Sequence, residues 1–199
     1  MKVKSLPAQP AVTPPEQIKK EILPFQCTHA AFTWRPVVLE DDFPTIYQWM
    51  KRRYAGPHWQ DTEATALMLK ETSELALESG LADITIGMLE NEMIGYAEVS
   101  SVTNDDISLY YPCREGDYIL RLLTDPQRIM PAEIYIALLQ SCLKQIAVNS
   151  IIKRVMMEAD YHLYVYVLKE AGFKCLTTFI RNNEIAVLYY YEPSIAIPG

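Results

Sequence analysis

The clearest change of pattern along the chain falls between Ile151 and Phe173. Ile151-Ile152 and Val155-Met156-Met157 form a largely apolar run, which predicts a buried strand. A turn is expected at Glu158-Ala159-Asp160, followed by a short amphipathic helix that stops at Gly172-Phe173. A strand that carries an acidic residue to its carboxyl end and passes at once into a helix is how open sheets build ligand sites.

The same reading gives the elements on either side. Phe32 to Val37 alternates as a strand, and Asp41-Asp42-Phe43-Pro44 opens a helix carrying Phe43, Ile46, Tyr47, Trp49 and Met50. Its basic end, Lys51-Arg52-Arg53, suits the negative pole of a helix dipole. Thr62 to Ser79 is a second helix, with Ala66, Leu67, Leu69, Leu75 and Leu77 as apolar positions and Gly80 as its stop. Asp83–Leu89 and Met93–Val99, joined by Glu90-Asn91-Glu92, predict a hairpin. Ser101 to Asp106 reads as loop, and Ile107 to Tyr111 either extends the sheet or wraps its edge. Tyr118 to Thr124 is a central apolar strand interrupted by Arg121. A loop from Asp125 to Pro131 leads into a helix over Ala132–Val148, with Ile134, Ala137, Leu138, Cys142 and Ile146 buried. Lys174–Ile180 and Ile185–Tyr191 close the sheet as a final hairpin. This order predicts an α+β fold with a mixed sheet, and excludes an alternating parallel barrel.

Composition narrows the partners. The 199 residues are 50% hydrophobic, enough for one domain with a sizeable core. A net charge of −7 argues against nucleic acid. No run of ~18 apolar residues predicts a membrane span, and Lys2 and Lys4 precede no apolar signal core, so a cytoplasmic protein is expected. Cys27, Cys113, Cys142 and Cys175 show no metal-ligand spacing and read as reduced thiols, with Cys142 and Cys175 expected inside. Pro7, Pro10, Pro14, Pro15 and Pro24 make residues 1–30 an extended arm, ahead of one domain over 31–193 and a tail over 194–199.

Tyr47 to Met50 with His58-Trp59, Ile94 to Val99 with Asp105-Asp106 and Tyr110-Tyr111, Asp117 to Leu123, and Lys153 to Asp160 follow one another in an order that resembles the GNAT acyltransferases. They are most similar to the siderophore-biosynthesis branch that acylates lysine or N-hydroxylysine side chains, as in aerobactin- and mycobactin-type pathways. Tyr47-Gln48-Trp49-Met50 with His58-Trp59 looks like the W-M…W signature after that branch's first strand. Ile94 to Val99, with Asp105-Asp106 and Tyr110-Tyr111, looks like its central hairpin. Asp117 to Leu123 is similar to its G-x-H-L-L strand, and Lys153 to Asp160 to its R-V-x-x-E-P-D strand end. The likeness spans roughly residues 32 to 191 and implies the GNAT fold, a central, mostly antiparallel sheet flanked by helices.

The resemblance also implies a site, from which the chain departs at three places. Arg121 stands where the branch carries a histidine base, and an arginine cannot take a proton. It can orient a carboxylate or an oxyanion, or simply pair with an acid such as Asp117 or Asp160. The segment that should cradle the coenzyme A pyrophosphate, Gln127 to Ala132, contains no glycine, although Arg128 supplies charge. The branch's asparagine falls on Leu163 or Tyr161, while Asp160 keeps its second proposed catalytic position. Leu168 occupies the slot where many GNAT enzymes carry a tyrosine that protonates the thiolate. The expected catalytic set is therefore Asp160 and Arg121, with His58 or His162 as a replacement base. The competing reading, the more ordinary one, makes His162 a solvated residue of a helix's first turn and His58 a solvated loop residue. Backbone groups of Leu122, Leu123 and Thr124, with Gln127, Arg128 and Ala132, are expected to hold the cofactor, and Trp49 and Trp59 to line the acceptor pocket. As packing alone, both tryptophans need no reason beyond burial.

These residues lead to an acyltransferase using acetyl-CoA or another acyl-CoA, with no metal, on a small-molecule amine or hydroxylamine. A homodimer is left open. The competing expectation keeps the fold and loses catalysis, leaving a module that binds a CoA-like or acidic ligand.

Overall fold

A computed structural model describes residues 32–54, 61–128, 130–159, 162–181 and 184–193, without the side chains of residues 54 and 162–164. The expected arm, the 194–199 tail, His58, Trp59 and Asp160 lie outside the described residues, as does the side chain of His162.

Seven strands form one sheet: β1 (Phe32–Pro36), β2 (Ala82–Leu89), β3 (Glu92–Ser101), β4 (Asp117–Thr124), β5 (Arg154–Ala159), β6 (Lys174–Arg181) and β7 (Glu184–Tyr191). Their spatial order is β1-β2-β3-β4-β5-β7-β6, antiparallel throughout except for the parallel β4–β5 pair. The helices are α1 (Leu39–Tyr54), α2 (Glu63–Glu78), α3 (Ala132–Ile146) and α4 (His162–Glu170). Glu90 and Asn91, both at positive φ, turn the β2–β3 hairpin in two residues, the left-handed geometry that matches strand twist.

Helix α1 starts at Leu39, two residues ahead of the expected Asp41, because Asp42 works backwards from the first turn. Its carboxylate accepts from the Val38 N–H at 2.8 Å and from both terminal nitrogens of Arg35 at 2.7 and 2.6 Å. Pro44 sits inside the helix just past its first turn, where it removes the hydrogen bond to the Glu40 carbonyl. Thr62 caps α2 by accepting from the Thr65 N–H at 3.1 Å.

Four expectations need correction. Ile107 to Tyr111 adds no strand: short 3₁₀ turns over Val102–Asn104 and Asp106–Leu109 fold the segment onto the sheet face, where Val102, Ile107 and Tyr111 pack on Ile119, Met156 and Phe179. Strand β5 begins at Arg154, and Ile151 is exposed in the turn before it. Cys175 is exposed, because it lies on the sheet's edge strand β6. Helix α2 has no fully buried residue: Ala66, Leu69 and Leu77 pack on the core's margin, while Leu67 and Leu75 face outward. A helix lying on one edge of a sheet has a narrower buried stripe than its apolar content suggests.

The two sheet faces are covered differently. On one, Leu120, Val155, Met157 and Ala97 pack under α3 and α4 through Leu139, Cys142, Leu143, Val167 and Leu168. On the other, Ile84, Ile86, Tyr96 and Leu123 pack under α1 through Ile46 and Trp49, and the 3₁₀ segment covers Ile119 and Met156. Strand alternation assigns Ile119, Arg121 and Leu123 to this second face, between α1 and the 3₁₀ segment.

Candidate active site

Strands β4 and β5 pair only through Asp117↔Arg154, Tyr118↔Val155 and Ile119↔Met156. Beyond those three pairs both strands continue, β4 to Thr124 and β5 to Ala159, without bonding to each other. The parallel pair is therefore closed at one end and open at the other. Extending its register puts Arg121 level with Glu158 across the gap.

The closed end is held by charge. Arg154 donates from Nε to Asp117 Oδ1 at 2.7 Å and from a terminal nitrogen to Oδ2 at 2.6 Å. Oδ2 also accepts from the Tyr111 hydroxyl at 3.0 Å and the Arg114 N–H at 2.9 Å. Asp117 is 2% exposed and Arg154 7%, so a buried, bidentate pair ties the two strands together. The carboxylate raises the Arg154 pKa further, and burial, with Asp117 alongside, pushes the Tyr111 phenol up and keeps it neutral.

A cavity of about 360 Å³ occupies the open end. Leu120, Leu122 and Met157 contribute from the α3/α4 face, and Tyr96, Glu98, Arg121, Leu123 and Glu158 from the α1 face, so the cavity runs through the gap between the strands. Met50 and Arg53 of α1 and Asp105 of the 3₁₀ segment wall it on one face, and Arg181 of β6 completes it.

Its polar groups form two paired sets. Arg121 donates to Glu98 at 3.2 Å and makes a closer contact with Asp105. Glu98 also accepts from the Tyr96 hydroxyl at 2.7 Å. Burial opposes the charge of Asp105, but the Ile107 N–H at 3.0 Å and the Arg121 guanidinium outweigh it and hold the carboxyl below its usual pKa. Across the gap, Arg181 closes on Glu158 and reaches Asp106 at 3.4 Å.

The structure sorts the expected site residues. Arg121 projects into the cavity, and among the described residues it pairs with Glu98 and Asp105. Asp117, one of the acids expected for it, lies four residues back along the strand, about 13 Å away, and is taken by Arg154. Leu122 and Leu123 line the cavity, and with Thr124 they belong to the part of β4, from Leu120 on, that has no β5 partner. Trp49 is 4% exposed in the core with Ile46, Ile84 and Ile86 and is not part of the cavity wall, so the packing alternative describes it. Its neighbour Met50 is the residue that reaches the cavity. Arg128 is drawn to Glu92 at 2.9 Å. Leu168 is fully buried and Tyr166 is exposed on α4.

Glu158 and Arg181 were not predicted as site residues, nor were Glu98 and Asp105 given a role. A signal existed for two of them: Glu98 and Glu158 each interrupt an apolar strand in the position that faces inward. Arg181 gave none, since a basic residue at a hairpin turn reads as solvated.

The acyl-CoA implied by the resemblance meets a partial fit. Beyond Ile119 and Met156 the facing edges of β4 and β5 carry backbone donors and acceptors unmatched by each other, which suits an extended, amide-bearing chain laid in the gap. The helix end that would meet a pyrophosphate is less well equipped. Pro131 stands at the start of α3 without a side-chain cap, and Glu133 places an acid in its first turn.

Comparison with known proteins agrees with this architecture. The family model described as an acetyltransferase (GNAT) domain matches residues 38–179. The chain belongs to the GNAT acetyltransferase family. No curated protein matches it by sequence. Among solved structures, an uncharacterised protein of Bacillus halodurans superposes with a TM-score of 0.67 at 22% identity, covering 81% of this chain and 83% of its own. The aminoglycoside acetyltransferase AAC(6')-Ib, bound to paromomycin and acetyl-CoA, gives 0.66 at 16% identity over 81% and 93%. The ribosomal L7/L12 α-N-protein acetyltransferase RimL, with coenzyme A, gives 0.62 at 14% over 82% and 95%. At these identities the likeness is one of fold. No helix among the described residues is long and apolar enough to cross a membrane.

Proposed function

We propose that this protein is an acyl-CoA-dependent N-acyltransferase that acts in the cytoplasm on the side-chain amine or hydroxylamine of a lysine-like metabolite in siderophore assembly. The observation that carries the reading is the open end of the β4–β5 pair, with a polar cavity running through it. The acyl-CoA supplies the activated carbonyl. Its extended arm completes the unpaired edge of β4, and backbone N–H groups of Leu122–Thr124 stabilise the charge that develops on the carbonyl oxygen. The acceptor enters from the α1 side, where acids paired with arginines line the cavity. Asp160, two residues beyond Glu158, orients the acceptor or takes its proton, with His58 or His162 as the alternative base. Arg121 contributes charge and position, not proton transfer. Arg128 and the start of α3, with Gln127 and Ala132, meet the cofactor's phosphates.

A second reading has a specific observation behind it. Arg121, locked between two acids, stands in the central strand where a base is expected, and the helix end meant for phosphate is poorly equipped. On that reading the protein binds an acyl-CoA or a related ligand without turning it over. Both readings predict a higher melting temperature with acetyl-CoA. Only the first predicts free thiol when acetyl-CoA is mixed with lysine or N6-hydroxylysine, and loss of that release in Asp160→Asn. Absence of a thermal shift with acetyl-, succinyl- and longer acyl-CoAs overturns the first.

A further inference from the structure

The cavity wall carries three arginines, Arg53, Arg121 and Arg181, against three carboxylates, Glu98, Asp105 and Glu158. A site for a polycation would show an excess of acid, and a site for an anion an excess of base. This wall is balanced, and its charges are arranged as pairs of opposite sign: Arg121 with Glu98 and Asp105 on one side of the gap, Arg181 with Glu158 on the other.

The members of the first side are not equally bound. Asp105 is drawn close to Arg121 and is 6% exposed, whereas Glu98 meets the same guanidinium at 3.2 Å from a side chain that is 24% exposed. The Arg121–Glu98 contact is the one that opens most readily. A lone ammonium that took Glu98 would pull the acid from its arginine, and a lone carboxylate that took Arg121 would leave Glu98 its neutral Tyr96 hydroxyl but no cation. Separating charges in a part-buried site is unfavourable unless each finds a new partner. A ligand carrying both charges on adjacent groups meets this condition, since one ion pair opens into two. The planar guanidinium also matches a carboxylate with paired N–H donors, which a lysine in its place would not.

Resting on the acyltransferase reading above, we propose that the acceptor is a free amino acid, whose α-carboxylate and α-ammonium insert between Arg121 and Glu98 while its side-chain nitrogen reaches the β4–β5 gap. Arg121 is then the residue that sets specificity, requiring a carboxylate on the acceptor. The class excluded is the decarboxylated diamine, which has the same reacting nitrogen and chain but only positive charge. Aminoglycoside-like polycations are excluded for the same reason.

The test pairs L-lysine with cadaverine, and N6-hydroxylysine with N-hydroxycadaverine, on full-length protein saturated with acetyl-CoA. Calorimetry measures binding and thiol release measures turnover. The amino acid is expected to bind on the order of tenfold or more tighter than its diamine. Arg121→Gln should bring that ratio close to one by weakening the amino acid, with Arg121→Lys intermediate because it keeps the charge and loses the fork. Diamine binding equal to or tighter than that of the amino acid in the wild type overturns the proposal. So does an Arg121→Gln variant with an unchanged melting temperature and an undiminished ratio. The wild-type comparison stands without any variant. Turnover of neither acceptor, with the binding preference intact, counts against the acyltransferase reading and leaves the amino-acid site supported.

Discussion

The two ends of the β4–β5 pair use the same chemistry for opposite purposes. At the closed end Arg154 grips Asp117 with two nitrogens, out of water, with Tyr111 and the Arg114 backbone satisfying what remains of the carboxylate. At the open end Arg121, 44% exposed, shares itself between Glu98 and Asp105, and Arg181 between Glu158 and Asp106. A buried, bidentate pair resists any change to one partner, while a pair held by an exposed arginine contributes less to stability and can be exchanged for a ligand. One strand, eight residues long, thus carries both a clamp and a binding surface. Burial, not residue type, separates them.

The largest effect is expected from breaking the clamp. Asp117→Ala leaves Arg154 buried and uncompensated and should destabilise the fold by about 3–5 kcal/mol, read from urea unfolding. Replacing both partners by apolar residues, Asp117→Leu with Arg154→Met, should recover much of that loss. If the single change costs less than the double one, the clamp is misassigned. Gly116→Ala probes the turn beside it. Gly116 sits at φ +86, its carbonyl accepts from the Lys153 and Arg154 N–H groups, and a Cβ there would lie 2.5 Å from Lys153 Cγ and 3.0 Å from the Ile151 carbonyl oxygen. A loss of about 1–3 kcal/mol is expected, again by urea unfolding.

At the open end the same class of substitution should read in binding and barely in stability. Arg121→Gln is expected to shift unfolding by less than about 1 kcal/mol while changing acceptor selectivity. Raising the salt concentration sharpens the contrast, because exposed pairs are screened and buried ones much less so. Acceptor affinity should fall between about 0.05 and 0.5 M salt, with the unfolding midpoint of the wild type shifting little.

The smallest effect is the pH response of Asp105. Its folded pKa lies below the ordinary 3.8, so the unfolded chain binds the proton more readily. Its contribution to stability is full above that value and is lost as pH falls through the lower folded one. Asp105→Asn should therefore flatten the stability curve below about pH 4 relative to wild type, and an unchanged acid limb would remove Asp105 from the ion pair.

Much of the fold was legible because periodicity reports local geometry. The β2–β3 and β6–β7 hairpins, the central strand around Arg121, helix α2 and the positive-φ stop at Gly172 follow from short stretches of chain. The site was legible only in part. Arg121 stood out as the one charge in an apolar strand, but its partners could not be read, since Asp117 is near in sequence and Glu98 near in space. Trp49 drew attention by type and turned out to be core, whereas its neighbour Met50 reaches the cavity. A helix pattern shows which face is apolar and not how far each member of that face extends.

By itself, then, the sequence determined the elements, their order and the presence of a lone arginine at the centre of the sheet. Tertiary structure decided that β4 and β5 bond for three residues and then part, which no pattern within either strand records. It also decided that Arg121 and Glu158 stand level across that gap. Helices and hairpins are set by contacts a few residues apart, but the cavity is set by the register of strands 37 residues apart in the chain, Asp117 against Arg154, and by the residues that register carries past its last hydrogen bond.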